Sequence, residues 1–221
     1  MITISRREFL RVSSGALAAT PPFGLNSPTG IQIVRLLGGA DGLDLVPPVG
    51  DPGYARLRPS LAVRCALPLD GFFGLHPALA PLLPLYDSGE LAVLHAAGFP
   101  RTRPSHFEAQ QQLPRHLPCI DLPGWDTHSA QAARMPGLLA RLATTLLALR
   151  RLRRTVIVLS EFGRAVRENA WGGTGHGYGQ AVLMLGALPG GRVYARWPGL
   201  AAGHLPVTTD LTPYLFPGNS A

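Results

Sequence analysis

The chain has 221 residues, 46% of them apolar and 15% charged, which sets it apart from disordered sequences and gives enough length for one sizeable core. Its formal charge of +7 invites a nucleic-acid reading, but all 20 basic residues are arginine and they are scattered, with no clustered, aromatic-interleaved footprint. The one basic group, Arg150, Arg151, Arg153 and Arg154, closes a helical stretch, where cations suit the helix C-terminus, so no nucleic-acid partner is expected.

In chain order, SRREFLRVSSGALAA pairs Arg6 and Arg7 ahead of Phe9, Leu10 and a short run of small apolar residues. It is similar to a twin-arginine export signal, with Ala16-Leu17-Ala18 as the cleavage site. Residues 1–19 are therefore expected to be a signal peptide recognised by the twin-arginine translocation machinery, and residues 20–30 a proline-rich linker. The chain is expected in the periplasm or secreted. No later stretch is long and apolar enough to anchor it in a membrane. In an oxidising compartment Cys65 and Cys119 either pair or stay as free thiols.

IQIVRLLGG predicts a buried strand entering a glycine turn, and the proline-broken DGLDLVPPVGDPGYARLRPS predicts a loop. Pro77 to Tyr86 carries near-helical leucine and alanine spacing, and LAVLHAAG (91–98) reads as a second strand. Ser105 to Gln112 starts a helix; residues 113–125, with three prolines, show no period. Met135 to Leu152 predicts an amphipathic helix, TVIVLSEF (155–162) the strongest strand, and AVLMLG and GRVYARW two more. Alternating strands and helices predict an α/β fold with a largely parallel central sheet flanked by helices, in one domain over 31–221.

In such sheets function gathers where strand C-termini open into loops, and the unusual polar residues fall there. Asp41 and Asp44 follow the first strand, Asp126 and His128 sit in GWDTH, Glu161 ends the strongest strand, and His176 lies in WGGTGHGYGQ. Carboxylates and imidazoles at successive loop mouths suit a divalent cation. Each also has a structural explanation: Asp41-Gly42 as a turn, Asp126 as a helix cap, Glu161 as a surface partner of Arg164, a histidine as a satisfied core group. Ser105 opens a capping box with Glu108 and equally suits a metal-activated nucleophile at a helix N-terminus. The glycine loop is not a phosphate cradle, since the chain has no lysine for one.

LLGGADGLDLVPPVGDPGYARLRPSLAV, LDGFFGLHPALAPLLPLYDSGELAVLHAAGFP, RPSHFEAQ, GWDTHSAQ, VIVLSEFGRAVREN and GGTGHGYGQAVLMLGALPGGRVYARWPGL together resemble, in this order, the domain-of-unknown-function family numbered 1501. That family is similar to the alkaline phosphatase and sulfatase superfamily. The resemblance implies an alkaline-phosphatase-like fold and a divalent-metal site (zinc, magnesium, calcium or manganese) acting on a small anionic phosphate or sulfate ester. It implies Asp41, Asp126, His128, Glu161 and His176 as metal ligands and Ser105 as catalytic nucleophile. Two departures imply an incomplete version. The family's Thr-Asp-His-Gly-His-Gly reads here Thr174-Gly175-His176-Gly177-Tyr178-Gly179, and the segment near 113–124 is shortened. The alternative expectation is therefore a non-catalytic or truncated remnant whose metal is lost.

Overall fold

A computed structural model of the chain describes residues 30–99, 106–114, 116–186, 189–201, 203–211 and 215. The stretches expected to be a signal peptide and, but for residue 30, a linker, together with Ser105, lie outside the described residues.

The expected mixed α/β architecture with a mostly parallel sheet is present. Strand β1 (Ile31–Leu37) is the apolar run IQIVRLL, and it pairs in parallel with β5 (Cys119–Pro123) on one side and β6 (Thr155–Ser160) on the other. Beyond β6 lie β9 (Gln180–Leu185), β4 (Leu91–Gly98) and β10 (Arg192–Ala195), giving the order β10-β4-β9-β6-β1-β5. Strand β11 (Thr209–Asp210) adds to the end of β4, and β2 (Leu67–Pro68) and β3 (Gly74–Leu75) form a separate antiparallel pair. Within the central sheet, among the described residues, only β9 runs antiparallel to its neighbours. The C-terminal ends of β1, β4, β5 and β6 thus share one end of the sheet with the N-terminal end of β9. Strands buried on both faces read as continuous apolar runs, which is why β4, β6 and β9 stand out in the sequence.

One face is covered by the helix Gln131–Arg150, whose buried Met135, Leu139, Leu142, Leu146 and Leu149 recur at helical spacing. They pack on Val34, Leu36, Val156, Val158 and Leu183. The 3₁₀ turn Pro77–Leu82 and the short helix Leu83–Asp87 complete that layer. The opposite face, Ile33, Leu94, Ile157, Leu159, Val182 and Met184, packs on Leu113, Leu211 and Leu215. Among the described residues no helix is long and apolar enough to cross a membrane.

Four local expectations need correction. The proline-rich stretch 113–125 contains an edge strand, β5, bracketed by Pro118 and Pro123. The supposed loop after β1 holds two single-turn helices, Gly42–Leu45 and Tyr54–Leu57. The long helix begins four residues before Met135, because its first amides are satisfied from outside: Ala130 N donates to Trp171 O and Gln131 N to Gly172 O. Those carbonyls belong to the turn of a hairpin, β7 (Arg164–Glu168) with β8 (Thr174–His176), that no apolar period announced. Both cysteines are free thiols; Cys65 is exposed, and Cys119 Sγ donates to Pro114 O and Leu117 O, each at 3.1 Å.

Candidate metal centre

The chain leaves β1 through Gly38, at φ +124°, where an added Cβ would lie 2.3 Å from the Asp126 amide nitrogen. Glycine therefore lets the exit of β1 run against the segment that follows β5. Around this crossing the structure gathers His106 from the start of the helix His106–Gln111, Asp126 after β5, and His176 at the end of β8. One donor atom from each lies within 4.8 Å of the other two, a grouping fit to hold a metal ion. His128 joins them: its Nε2 is 3.1 Å from Asp126 Oδ1 and 2.9 Å from His176 Nε2. Asp126 is not a helix cap; the cap position of the long helix is Ala130.

Asp126 is held from below by Arg164, whose Nη1 donates to Oδ1 at 2.8 Å from a side chain with no exposure at all. Burial pulls the Asp126 carboxyl up, but the hydrogen bond and charge of Arg164, with His128 and His106, outweigh it and hold the group below its ordinary value. Burial, and then the Arg164 charge, lower the His128 imidazole, which keeps it available as a neutral ligand.

Glu161 sits differently from the expectation. It is buried and does not face Arg164 across the surface; its Oε1 accepts from Gly38 N and from His106 Nδ1, each at 2.9 Å. Gln110 Nε2 is 3.4 Å from the same oxygen. Gln110 also lines a cleft of about 540 Å³ with Arg35, Leu37, Leu113, Cys119 and Asp121.

Asp41 is also committed elsewhere. It caps Gly42–Leu45 through Leu43 N and forms a fully buried pair with Arg58, Nη1 to Oδ2 at 2.7 Å and Nη2 to Oδ1 at 3.1 Å. Gln131 Nε2 donates to the same Oδ2 at 2.6 Å and to Asp44 Oδ2 at 3.1 Å. Gln131 Oε1 in turn accepts from Thr127 and Thr174, so this network braces the two segments that carry His128 and His176. Arg58 extends it by donating to Val166 O and Ala165 O of β7.

Asp44 pays for its place in that network, because burial, then the neighbouring Asp41, raise its carboxyl to about 7. A group whose folded value exceeds its unfolded one contributes stability fully below the unfolded value, near 4, and loses it as pH rises to about 7. Asp44→Asn is therefore expected to gain on the parent chain between pH 4 and pH 7, by on the order of 4 kcal/mol, with no further gain above. Urea unfolding at pH 4, 6 and 8 measures this; parallel pH profiles of the two chains would contradict it.

The altered glycine loop lies at the same end. His176 is opposite Arg164 in the hairpin, so Gly175 points to the other side, where an added Cβ would have Ala165 Cβ at 3.9 Å as its neighbour. An aspartate would fit there but would project away from His176. Tyr178 is 41% exposed, its ring 6.0 Å from that of His204. The His106–Asp126–His176 group is thus assembled without a carboxylate at 175.

Of the residues expected at the site, the structure brings Asp126, His128 and His176 together, sets Glu161 behind them and leaves Asp41 in its ion pair. Reading from sequence missed His106, hidden inside what looks like a capping box. Its signal was positional: it too follows a strand that ends at this end of the sheet.

The molecule is thus a mixed α/β protein with a candidate His/Asp metal centre at the strand exits. Residues 115–211 match the family model described as Protein of unknown function (DUF1501), which supports the domain-of-unknown-function family. The match includes Asp126, His128, Glu161 and His176 and begins after Asp41 and His106. No curated protein and no solved structure gives a significant match.

Proposed function

We propose that this chain is an exported, divalent-metal-dependent hydrolase of phosphate or sulfate esters on an alkaline-phosphatase-like fold. One observation carries the metal: His106 Nε2 is buried without a hydrogen-bond partner and lies 3.6 Å from Asp126 Oδ2, beside two further imidazoles. A buried ring nitrogen left unmatched is costly, and a cation among these donors would satisfy it. His106, Asp126 and His176 would hold the ion, with His128 next to them. Three imidazoles and one carboxylate favour zinc over magnesium or calcium, which prefer oxygen. Bound there, the ion would supply Lewis acidity to an ester oxygen and to an attacking hydroxyl.

The chain's own groups have definite parts in this reading. Arg164 keeps Asp126 ionised and oriented. The cleft beside Gln110 has the size of a small-molecule site and would take the organic part of the ester. Ser105, adjacent in the chain to His106, is the candidate nucleophile. The resemblance supplies the ester class, the superfamily fold and the twin-arginine route.

A second reading, a binding protein or remnant without catalysis, is favoured by the commitment of Asp41 to Arg58, which removes one carboxylate that the resemblance puts on the metal. The test is metal content by elemental analysis, followed by hydrolysis of aryl phosphate and aryl sulfate esters with zinc or manganese supplied. The expected result is about one equivalent of metal per chain and turnover that chelation abolishes. Metal without turnover would favour the second reading, and a folded chain that takes up no metal would overturn the proposal.

A further inference from the structure

Glu161 is expected among the metal ligands, yet its side chain has no exposure and its Oε1 is occupied by Gly38 N, His106 Nδ1 and Gln110 Nε2. Ser160 Oγ lies 3.0 Å from the other oxygen, Oε2. A carboxylate fixed in this way cannot also reach a cation among His106, Asp126 and His176. What it can do is set the state of His106. The Gly38 amide can only donate, so its 2.9 Å hydrogen bond fixes Oε1 as an acceptor. The 2.9 Å contact of His106 Nδ1 with that same acceptor therefore places a proton on Nδ1, and a ring of this tautomer presents the Nε2 lone pair. That nitrogen is the one left without a hydrogen-bond partner, facing the Asp126 carboxylate. A lone pair opposite a carboxylate is an arrangement that a cation between them makes favourable.

We propose that Glu161 is a positioning residue: its carboxylate holds His106 through Nδ1–H, so that Nε2 is a preformed ligand for the cation shared with Asp126 and His176. This rests on the metal-centre reading above. It gives Glu161 the part of the outer carboxylate that orients a metal-binding histidine and raises its basicity. Glu161 also ties the end of β6 to the exit of β1 through Gly38, so the ligand His106 is referenced to two central strands rather than to its own short helix.

The test uses the full chain with zinc alone as probe. Zinc affinity is measured by competition with a chelator for the parent chain, Glu161→Gln and His176→Ala, and the His106 tautomer is read by ¹⁵N NMR in the metal-free parent chain at pH 8. Glu161→Gln is expected to bind zinc about 10- to 100-fold more weakly than the parent, with His176→Ala weaker still. The metal-free parent is expected to show His106 as the Nδ1–H tautomer. Zinc binding by Glu161→Gln within twofold of a parent chain that does bind would overturn the role of Glu161 and leave the metal centre standing. A parent chain that binds no zinc would overturn the metal centre, and the positioning role with it. If Glu161→Gln fails to fold, the tautomer decides: an Nε2–H ring, or one protonated at both nitrogens, overturns the proposal.

Discussion

Replacing Asp41 with alanine is expected to lower the free energy of unfolding by about 3–5 kcal/mol, with or without divalent metal present. Arg58 and Asp41 both have fully buried side chains, joined by two hydrogen bonds at 2.7 and 3.1 Å. Without the carboxylate, Arg58 hydrogen-bonds only to the carbonyls of Val166 and Ala165, and a guanidinium is left in the core with no hydrogen-bonded counterion. Gln131 Nε2 loses its 2.6 Å acceptor and Leu43 N its cap in the same step. The loss spreads to the site, because Arg58 fastens β7 and Gln131 fastens Thr174 of β8, the strand that ends in His176. Urea unfolding with and without chelator separates the two accounts of Asp41. A loss below about 1 kcal/mol, or one seen only in the presence of metal, would return Asp41 to the cation.

The contrast between Asp41 and His106 shows where sequence reading stops. Strands β1, β4, β6 and β9 were legible because a strand buried on both faces is a continuous apolar run bounded by glycine or a polar residue. Strand β5 was not: it lies at the sheet edge, is half exposed along most of its length and is framed by prolines, all of which suit an edge and hide the period. The loop mouths correctly pointed to Asp126, His128 and His176 as neighbours, because a parallel sheet gathers its strand exits at one end. Which carboxylate belongs to the candidate metal centre is a different kind of question. Asp41 and Glu161 are each claimed by a partner distant in sequence: Arg58 is 17 residues away, and His106 is 55 residues from Glu161. The arginines read only as scattered charge, yet Arg58 and Arg164 are buried counterions. Only the packed chain supplies that distinction.

The four donors also differ enough to rank, and the ranking is itself a test of the centre. His176→Ala is expected to weaken zinc binding by more than about a hundredfold, beyond the 10- to 100-fold typical of an outer partner. His176 belongs to the compact triad and its ring is held edge to face at 4.5 Å from His106 and tilted at 4.7 Å from Phe162, so its nitrogen is placed in advance. His106→Ala is expected to be equally severe for zinc but also to destabilise the fold, since it strips Glu161 of a hydrogen bond inside the core. His128→Ala is expected to be the mildest, about tenfold or less: its side chain is half exposed and its Nε2 meets the group through His176 and Asp126, outside the triad. Chelator competition on the three variants, each checked for folding by circular dichroism, gives the order directly. Equal losses for His128→Ala and His176→Ala would mean four equivalent ligands and a site closed by protein on every side. On the proposed function, the expected inequality would leave the His128 side as the open position for an ester oxygen, as a catalytic zinc site requires and a structural one does not.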